Sequence, residues 1–338
     1  MIRDPAELSE SLSRFIAREG GFSNVSIENL RRMPGGASRE IWSFDAKLEA
    51  EGKMARRALV LRRDPGASRI DTNRREEFLV LRAAYQEKVP VPEVLWMSED
   101  PAILGAAFFI MERVEGETVA RRLLRDKTYA QARLVMPEQL ATILARIHTI
   151  DANRHNLDFL SRPQGAAARA EVLRYQQTFA RIALEPHPAF ELTFRWLLER
   201  LPQSSKQTLV HGDYRIGNVI FGPEGVRSIL DWELAHIGDP LEDIGWMCVR
   251  AWRFGEDAKP VGGLCQREEF FEAYEKASGM QVDIESARFW EVFGNLRWGI
   301  ITISQARTYL DGHVPSVELA SIGRRTAETE LELLNLIN

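Results

Sequence analysis

The sequence predicts a two-lobed α+β fold, with a small N-terminal lobe built on an antiparallel sheet and a larger, mainly helical C-terminal lobe. Three observations predict it. The first 115 residues hold five short β-like segments interrupted by one helical stretch. Gly116 then marks a plausible hinge, dividing the chain into 1–115 and 116–338. Beyond it the apolar spacing is helical nearly throughout, broken by a single β patch from Thr208 to Asp231.

The elements follow in order. Asp4-Pro5-Ala6-Glu7 places an N-cap acid, an N1 proline and an N3 glutamate before Leu8, Leu12, Phe15 and Ile16, so a helix is expected from about residue 5 to Gly20. Strand-like runs follow at Val25 to Met33, Glu40 to Leu48 and Ala55 to Arg62, separated by turn material at Pro34-Gly35-Gly36 and Glu51-Gly52-Lys53. Asp71 to Glu87 reads as a helix through Phe78, Leu81, Ala84 and Tyr85. Val89-Pro90-Val91-Pro92 forbids helix, and Glu93 to Met97 and Ala106 to Val114 complete the five strands. Helices are expected at 117–126, 137–150, 166–183, 189–201, 240–252, 267–278, 284–311 and 316–337. The β patch contains two strands flanking the turn Gly222-Pro223-Glu224-Gly225. Lys259-Pro260-Val261-Gly262-Gly263 has the composition of a mobile connection.

Composition narrows the function. With 338 residues and 45% hydrophobic content the chain can bury a core or two, and a formal net charge of -5 argues against a nucleic-acid partner. Cys248 and Cys265 belong to no C-x-x-C pair, which points to a reducing compartment. Met1 to Arg18 carries acids and no apolar h-region, and no run of 18 apolar residues occurs, so a cytoplasmic protein without a membrane span is expected.

The most informative stretch is Leu209 to Asn218, reading L-V-H-G-D-Y-R-I-G-N, with Asp231-Trp232-Glu233 beginning thirteen residues after Asn218. Phosphoryl transfer needs an acceptor-only group to take a hydroxyl proton and oxygen ligands for Mg2+. Asp213, Asn218 and Asp231 supply that set. The spacing suggests a loop presenting Asp213, a strand starting at Asn218, and a hairpin returning Asp231 beside it.

These residues resemble the aminoglycoside phosphotransferase and choline kinase-like superfamily, relatives of protein kinases, whose catalytic stretch reads H-G-D-x-x-x-x-N followed by D-[FW]-E. Gly238-Asp239-Pro240-Leu241-Glu242-Asp243 resembles the family's G-D-P-x-x-D, which in relatives buttresses the catalytic loop. The resemblance covers about residues 25 to 255. It implies a bilobal protein-kinase-like fold with a nucleotide-binding N-terminal lobe and a C-terminal lobe holding the catalytic loop and acceptor site. ATP would enter between the lobes, with Mg2+ on Asn218 and Asp231 and Asp213 as catalytic acid-base group. Gly35, Gly36 and Ser38 would cover the phosphates, although Gly35-Gly36 reads equally as a hairpin turn. Glu77 would pair with a phosphate-contacting basic residue, expected at Arg62, where related kinases usually carry lysine. Arg63, on the opposite face by alternation, is the alternative. Main-chain groups of Glu112 and Val114 would bind adenine.

The implied function is transfer of the γ-phosphoryl group of ATP to a hydroxyl of a small molecule: an aminoglycoside-like, choline-like or hydroxyacyl acceptor. The last is suggested by a likeness to the branch fused to acyl-CoA dehydrogenases, carried by Asp231-Trp232-Glu233-Leu234-Ala235 and Arg62-Arg63-Asp64-Pro65. The rival reading is a non-catalytic ATP-binding module. Arg215 either steadies the transferring phosphoryl group or is a solvated surface residue. His211 reads as a packed support for the loop. Trp232, Trp246, Trp252, Trp290 and Trp298 read mostly as helix-packing core. Arg250, Arg253 and Arg297 would suit an anionic acceptor if they face the site.

Overall fold

A computed structural model describes residues 4–33, 40–63, 74–203 and 206–338. The chain divides into two compact units, Met1–Glu115 and Gly116–Asn338.

The first unit opens with α1 (Pro5–Gly20), whose N-cap Asp4 accepts the Ala6 N–H at 3.0 Å. Strands β1 (Asn24–Arg32), β2 (Glu40–Ala50) and β3 (Lys53–Arg63) form a meander, then come α2 (Arg74–Gln86), β4 (Val94–Ser98), a single turn α3 (Pro101–Leu104) and β5 (Phe108–Glu112). All neighbours pair antiparallel in the order β1-β2-β3-β5-β4. The two-residue period of β3 sorts its side chains. Leu59 and Leu61 join the cluster under α1 with Phe15, Phe44, Phe108 and Ile110. On the other face α2 lies against the sheet, its Phe78 ring 6.1 Å from that of Phe109.

The second unit begins with α4 (Ala120–Arg125) and α5 (Ala130–Ile147), followed by α6 (Ala167–Ile182) and α7 (Pro188–Glu199). The β patch comprises β6 (Thr208–Val210), β7 (Val219–Gly222), β8 (Gly225–Ile229) and β9 (His236–Gly238), paired β6 with β9 and β7 with β8. Helices α8 (Leu241–Met247), α9 (Arg267–Ser278), α10 (Ile284–Leu310), α11 (Val317–Gly323) and α12 (Thr326–Ile337) complete it. The 27-residue α10 packs against α6, α7, α8, α11 and α12. Its apolar residues therefore surround it instead of forming one stripe, as a central helix requires.

The fold class and both sets of elements match the expectation, with instructive departures. The second helix of this unit starts at Ala130, seven residues early, because Pro137 lies inside α5 instead of opening it; the cost is one missing ladder bond. The expected helix 316–337 is two helices, broken after Gly323. Strand β9, three residues long, was not foreseen. The Lys259–Gly263 segment is not a loose connection: residues 260 to 263 are buried, and the Gly262 N–H donates to the Met247 carbonyl at 3.1 Å. Both cysteines are free and buried; burial pushes the Cys265 thiol to about 12 and Cys248 well above its ordinary value.

Candidate active site

The catalytic-loop stretch is held from below by α8. Gly245 on that helix lies so close to α10 that a Cβ there would stand 2.3 Å from the Trp290 carbonyl carbon. The opposite side carries Asp243 and Trp246, three residues apart and hence neighbours on the helix surface. Asp243 accepts the His211 N–H at 2.8 Å on one oxygen and the Gly212 N–H at 2.9 Å on the other, and its first oxygen also meets His148 Nε2 at 3.2 Å. Burial opposes its charge, but the bond to His148 and the donated amides outweigh that and hold the carboxyl below its ordinary value. Behind it, Tyr274 closes the chain through a 2.8 Å hydrogen bond to His148 Nδ1.

Gly212 turns the chain with φ of 80°, and a Cβ there would meet the Leu234 carbonyl oxygen at 2.4 Å, so no other residue fits. His211 ties the loop to the hairpin. Its Nδ1 accepts the Asp213 N–H at 3.1 Å and its Nε2 donates to the Leu230 carbonyl at 3.1 Å. Burial lowers its pKa, and with both nitrogens engaged the neutral ring is a support, neither metal ligand nor base.

Asp213 is buried and takes three side-chain donors. Trp246 Nε1 reaches Oδ1 at 2.7 Å, Arg215 Nε reaches Oδ1 at 2.9 Å, and Asn218 Nδ2 reaches Oδ2 at 2.6 Å. Arg215 is not a solvated surface residue: its guanidinium lies 4.6 Å from the Trp252 ring. Asn218 closes a 3-10 turn, Ile216–Asn218, one residue earlier than the strand start expected of it. Because Nδ2 faces Asp213, the Asn218 side-chain oxygen is the atom a cation would take. The Leu230 N–H donates to the Asn218 carbonyl at 2.8 Å, so the β7–β8 ladder sets Asp231 one residue past that pairing. Asp231 adopts a left-handed φ of 68°, rare outside glycine and tolerated best by Asp and Asn.

Trp246 packs in the core as expected, with Val249 and Trp252, but its N–H bond to Asp213 was not foreseen; the signal was the three-residue step from Asp243. The arginines considered for an anionic acceptor are engaged otherwise. Arg297 donates to the Gly212 carbonyl at 2.8 Å and to Glu242 at 3.2 Å while stacking 4.3 Å from the Trp246 ring. Arg253 binds Glu291 and the Cys248 carbonyl, and Arg250 binds Asp257.

In the first unit it is Arg62, the expected one of the two β3 arginines, that forms a buried ion pair with Glu77. Arg63 points to the α1 side, bonding Glu40 at 2.5 Å and the Leu104 carbonyl at 2.8 Å. A second buried arginine, Arg74, shares Glu77 from one helical turn earlier; the three-residue step within α2 carried that signal. The Glu112 N–H is engaged by the Glu93 carbonyl at 2.8 Å, which leaves its carbonyl as the group it could offer adenine. Val114 lies just past β5 and is half-buried. Gly35, Gly36 and Ser38 lie outside the described residues.

The sequence profile of a family described as APH, phosphotransferase enzyme family, matches residues 39–280. The chain belongs to this phosphotransferase family. The match spans β2 to α9 and so takes in the Arg62–Glu77 pair and the whole catalytic-loop motif. Acyl-CoA dehydrogenase family member 10 of Mus musculus is 29% identical to this phosphotransferase-family chain over 291 residues, covering 81% of the chain and 27% of the relative. The chain thus spans about a quarter of that relative's length. A candidate aminoglycoside phosphotransferase from Ralstonia eutropha superposes with a TM-score of 0.77 at 24% identity over 97% of each chain. A thermostable mutant of aminoglycoside phosphotransferase APH(4)-Ia, in ternary complex with AMP-PNP and hygromycin B, superposes at 0.61 and 17% identity, again over 97% of each. Both show the protein-kinase-like fold. Among the described residues no helix is long and apolar enough to cross a membrane, and no three His, Cys, Asp or Glu side chains group to hold a metal.

Proposed function

We propose that this phosphotransferase-family chain transfers the γ-phosphoryl group of ATP to a hydroxyl of a small molecule. The observation that carries the reading is Asp213, a buried carboxylate oriented from three sides and tied to Asn218, itself paired by the hairpin with the residue before Asp231. Such positioning is what phosphoryl transfer asks of a protein, since little covalent chemistry falls to it.

The donor set fits Mg2+, which binds through one or two carboxylates and completes its shell with water and substrate phosphates, so a three-ligand protein cluster is not required. Asn218 and Asp231 would hold the ion, and bound Mg2+ would neutralise phosphate charge. Asp213 accepts the acceptor's hydroxyl proton as its oxygen bonds to the γ-phosphorus; the bond to the bridging oxygen breaks, and ADP leaves with that electron pair. Arg215, anchored on Asp213 and Trp252, is placed to steady the transferring group. Arg62, oriented by Glu77, would contact phosphate, since a guanidinium offers two parallel N–H groups where lysine offers a point charge. The Glu112 carbonyl and the Val114 main chain would receive adenine, and Gly35, Gly36 and Ser38 would cover the phosphates. By this reading 1–115 is the nucleotide-binding lobe and 116–338 holds the catalytic loop and acceptor site. The non-catalytic alternative had Arg62 in its favour; the Arg62–Glu77 pair supports the catalytic one.

Thermal stabilisation by ATP with and without Mg2+ tests the reading, because a ligand of the folded state raises apparent stability. A Mg2+-dependent rise is expected, weakened in Asp231→Ala and kept in Asp213→Ala, which should lose turnover. No rise at saturating nucleotide would overturn it.

A further inference from the structure

Helices α8 and α10 meet at two glycines. Gly245 lies against the Trp290 main chain, and a Cβ on Gly294 would stand 2.8 Å from the Val249 side chain. The close approach brings Arg297, three residues past Gly294 on α10, to the catalytic loop. Its guanidinium is buried and makes three contacts there. Nη2 donates to the Gly212 carbonyl at 2.8 Å, Nη1 donates to Glu242 at 3.2 Å, and the guanidinium carbon lies 4.3 Å from the centre of the Trp246 ring.

Two of these contacts lead to Asp213. The Gly212 carbonyl belongs to the peptide unit that carries the Asp213 N–H, and that N–H donates to His211 Nδ1 at 3.1 Å, so the unit is held at both ends. The Trp246 indole donates to Asp213 Oδ1 at 2.7 Å. The neighbouring amides and the Asp213 carbonyl are held by motif residues, Asp243 and Asn218. Arg297 comes from outside the motifs.

The third contact does not account for a guanidinium at this place. Glu242 already has a cation, because His236 Nε2 lies 3.1 Å away; burial opposes its charge, but Glu242 raises its pKa to about 9, so the ring is cationic at neutral pH. Two cations on one carboxylate leave a surplus positive charge. Burial opposes the charge on Arg297 too, yet the Tyr175 hydroxyl, Glu242 and Asp213 hold its pKa above the ordinary value, so Asp213 is among the groups that answer it. A buried guanidinium whose Nε has no partner is a costly way to fill space.

We propose that Arg297 is a positioning residue of phosphoryl transfer, fixing Asp213 through the peptide before it and through the indole that orients its carboxylate. The inference rests on the kinase reading above, in which a displacement of about 1 Å at the reacting groups costs about a hundredfold in rate. The contacts of Arg297 do not include Asn218 or Asp231, so nucleotide binding should not depend on it.

The test compares the full native chain with two variants. Arg297→Met keeps a long side chain beside the Trp246 ring and leaves Glu242 with His236; Arg297→Lys keeps a donor for the Gly212 carbonyl. ADP release from Mg-ATP is measured with water as the acceptor. The indole N–H signals of the eight tryptophans are followed in chain carrying isotope-labelled tryptophan, the Trp246 signal being the one that Trp246→Phe removes. Expected in Arg297→Met is a kcat about tenfold lower at unchanged KM for Mg-ATP, with a Trp246 indole N–H that exchanges with solvent about tenfold faster, as loss of one charged hydrogen bond implies. Arg297→Lys should recover most of both. A native kcat in Arg297→Met overturns the inference, as does an unmoved indole exchange rate where water turnover is too slow to measure. Arg297→Lys no better than Arg297→Met, a KM for Mg-ATP that rises as kcat falls, or loss of the fold in both variants would make Arg297 a structural residue and overturn it as well. Any of these results with Mg-ATP still stabilising the native chain removes the inference alone; absence of that stabilisation removes the kinase reading with it.

Discussion

The three donors on Asp213 differ in how firmly they are held. Asn218 and Trp246 are buried, while the Arg215 side chain keeps 24% of its exposure and can leave Oδ1 when a phosphate competes for it. Trp246 then remains as the fixed donor that sets the carboxylate plane. Replacing it by phenylalanine keeps an aromatic side chain beside Arg297 while removing the N–H together with one ring of the indole. A hydrogen bond to a charged acceptor contributes about 1.5–3 kcal/mol. If it acts in the transition state, kcat of Trp246→Phe falls about ten- to a hundredfold with the KM of Mg-ATP unchanged; an unaltered kcat would show that Asn218 alone orients Asp213. The motif residues were legible in the sequence because their chemistry is confined to a short stretch. Arg62 was named over Arg63 by the family resemblance alone, since alternation says only that the two face apart and the pairing with Phe109 or Phe108 says which faces α2.

Helix α8 is seven residues long and serves two surfaces at once, Gly245 against α10 and Asp243 with Trp246 against the loop. Gly245→Val must therefore push the helix off Trp290, shifting both loop contacts together. Overpacking of this kind costs about 1–3 kcal/mol, so the urea midpoint of the second unit's own transition should fall with the m-value of that transition unchanged, and phosphoryl transfer should fall further than stability does. A variant that loses stability but keeps full turnover would detach α8 from the catalytic geometry. The strongly periodic helices and the N-terminal strands were readable in advance, since local spacing determines them. Strand β9 was not, because three residues carry no period and its pairing with β6 is a tertiary fact. The early start of α5 was hidden by Pro137, whose local preference for a first turn is overridden by the apolar face of Ala132, Met136, Leu140 and Ile143.

At the scale of the molecule, each unit owns a core. The first is built from Leu8 through Ile110, with two of the eight tryptophans, Trp42 and Trp96, packed against it. The other six lie in the second unit around α7, α8 and α10. Separate cores predict separate unfolding, so urea transitions followed by tryptophan fluorescence and by far-UV circular dichroism should not coincide. Coincident curves would show that the two cores melt as one. The family profile ends at residue 280, before α10, so the helix that anchors α8 lies outside the stretch that the profile matches. Sequence reading saw the last eighty residues only as generic helices, because their contribution to the site passes through packing at Gly245 and one guanidinium, Arg297, and not through a motif.

The two buried thiols have a practical side. With both thiols buried, and burial pushing Cys265 up to about 12 and Cys248 well above its ordinary value, neither offers thiolate to an alkylating reagent at neutral pH. The chain thus behaves as a cysteine-free background, and Leu134→Cys, on a side chain that is 74% exposed, would give a single attachment point for a maleimide fluorophore without removal of either native cysteine.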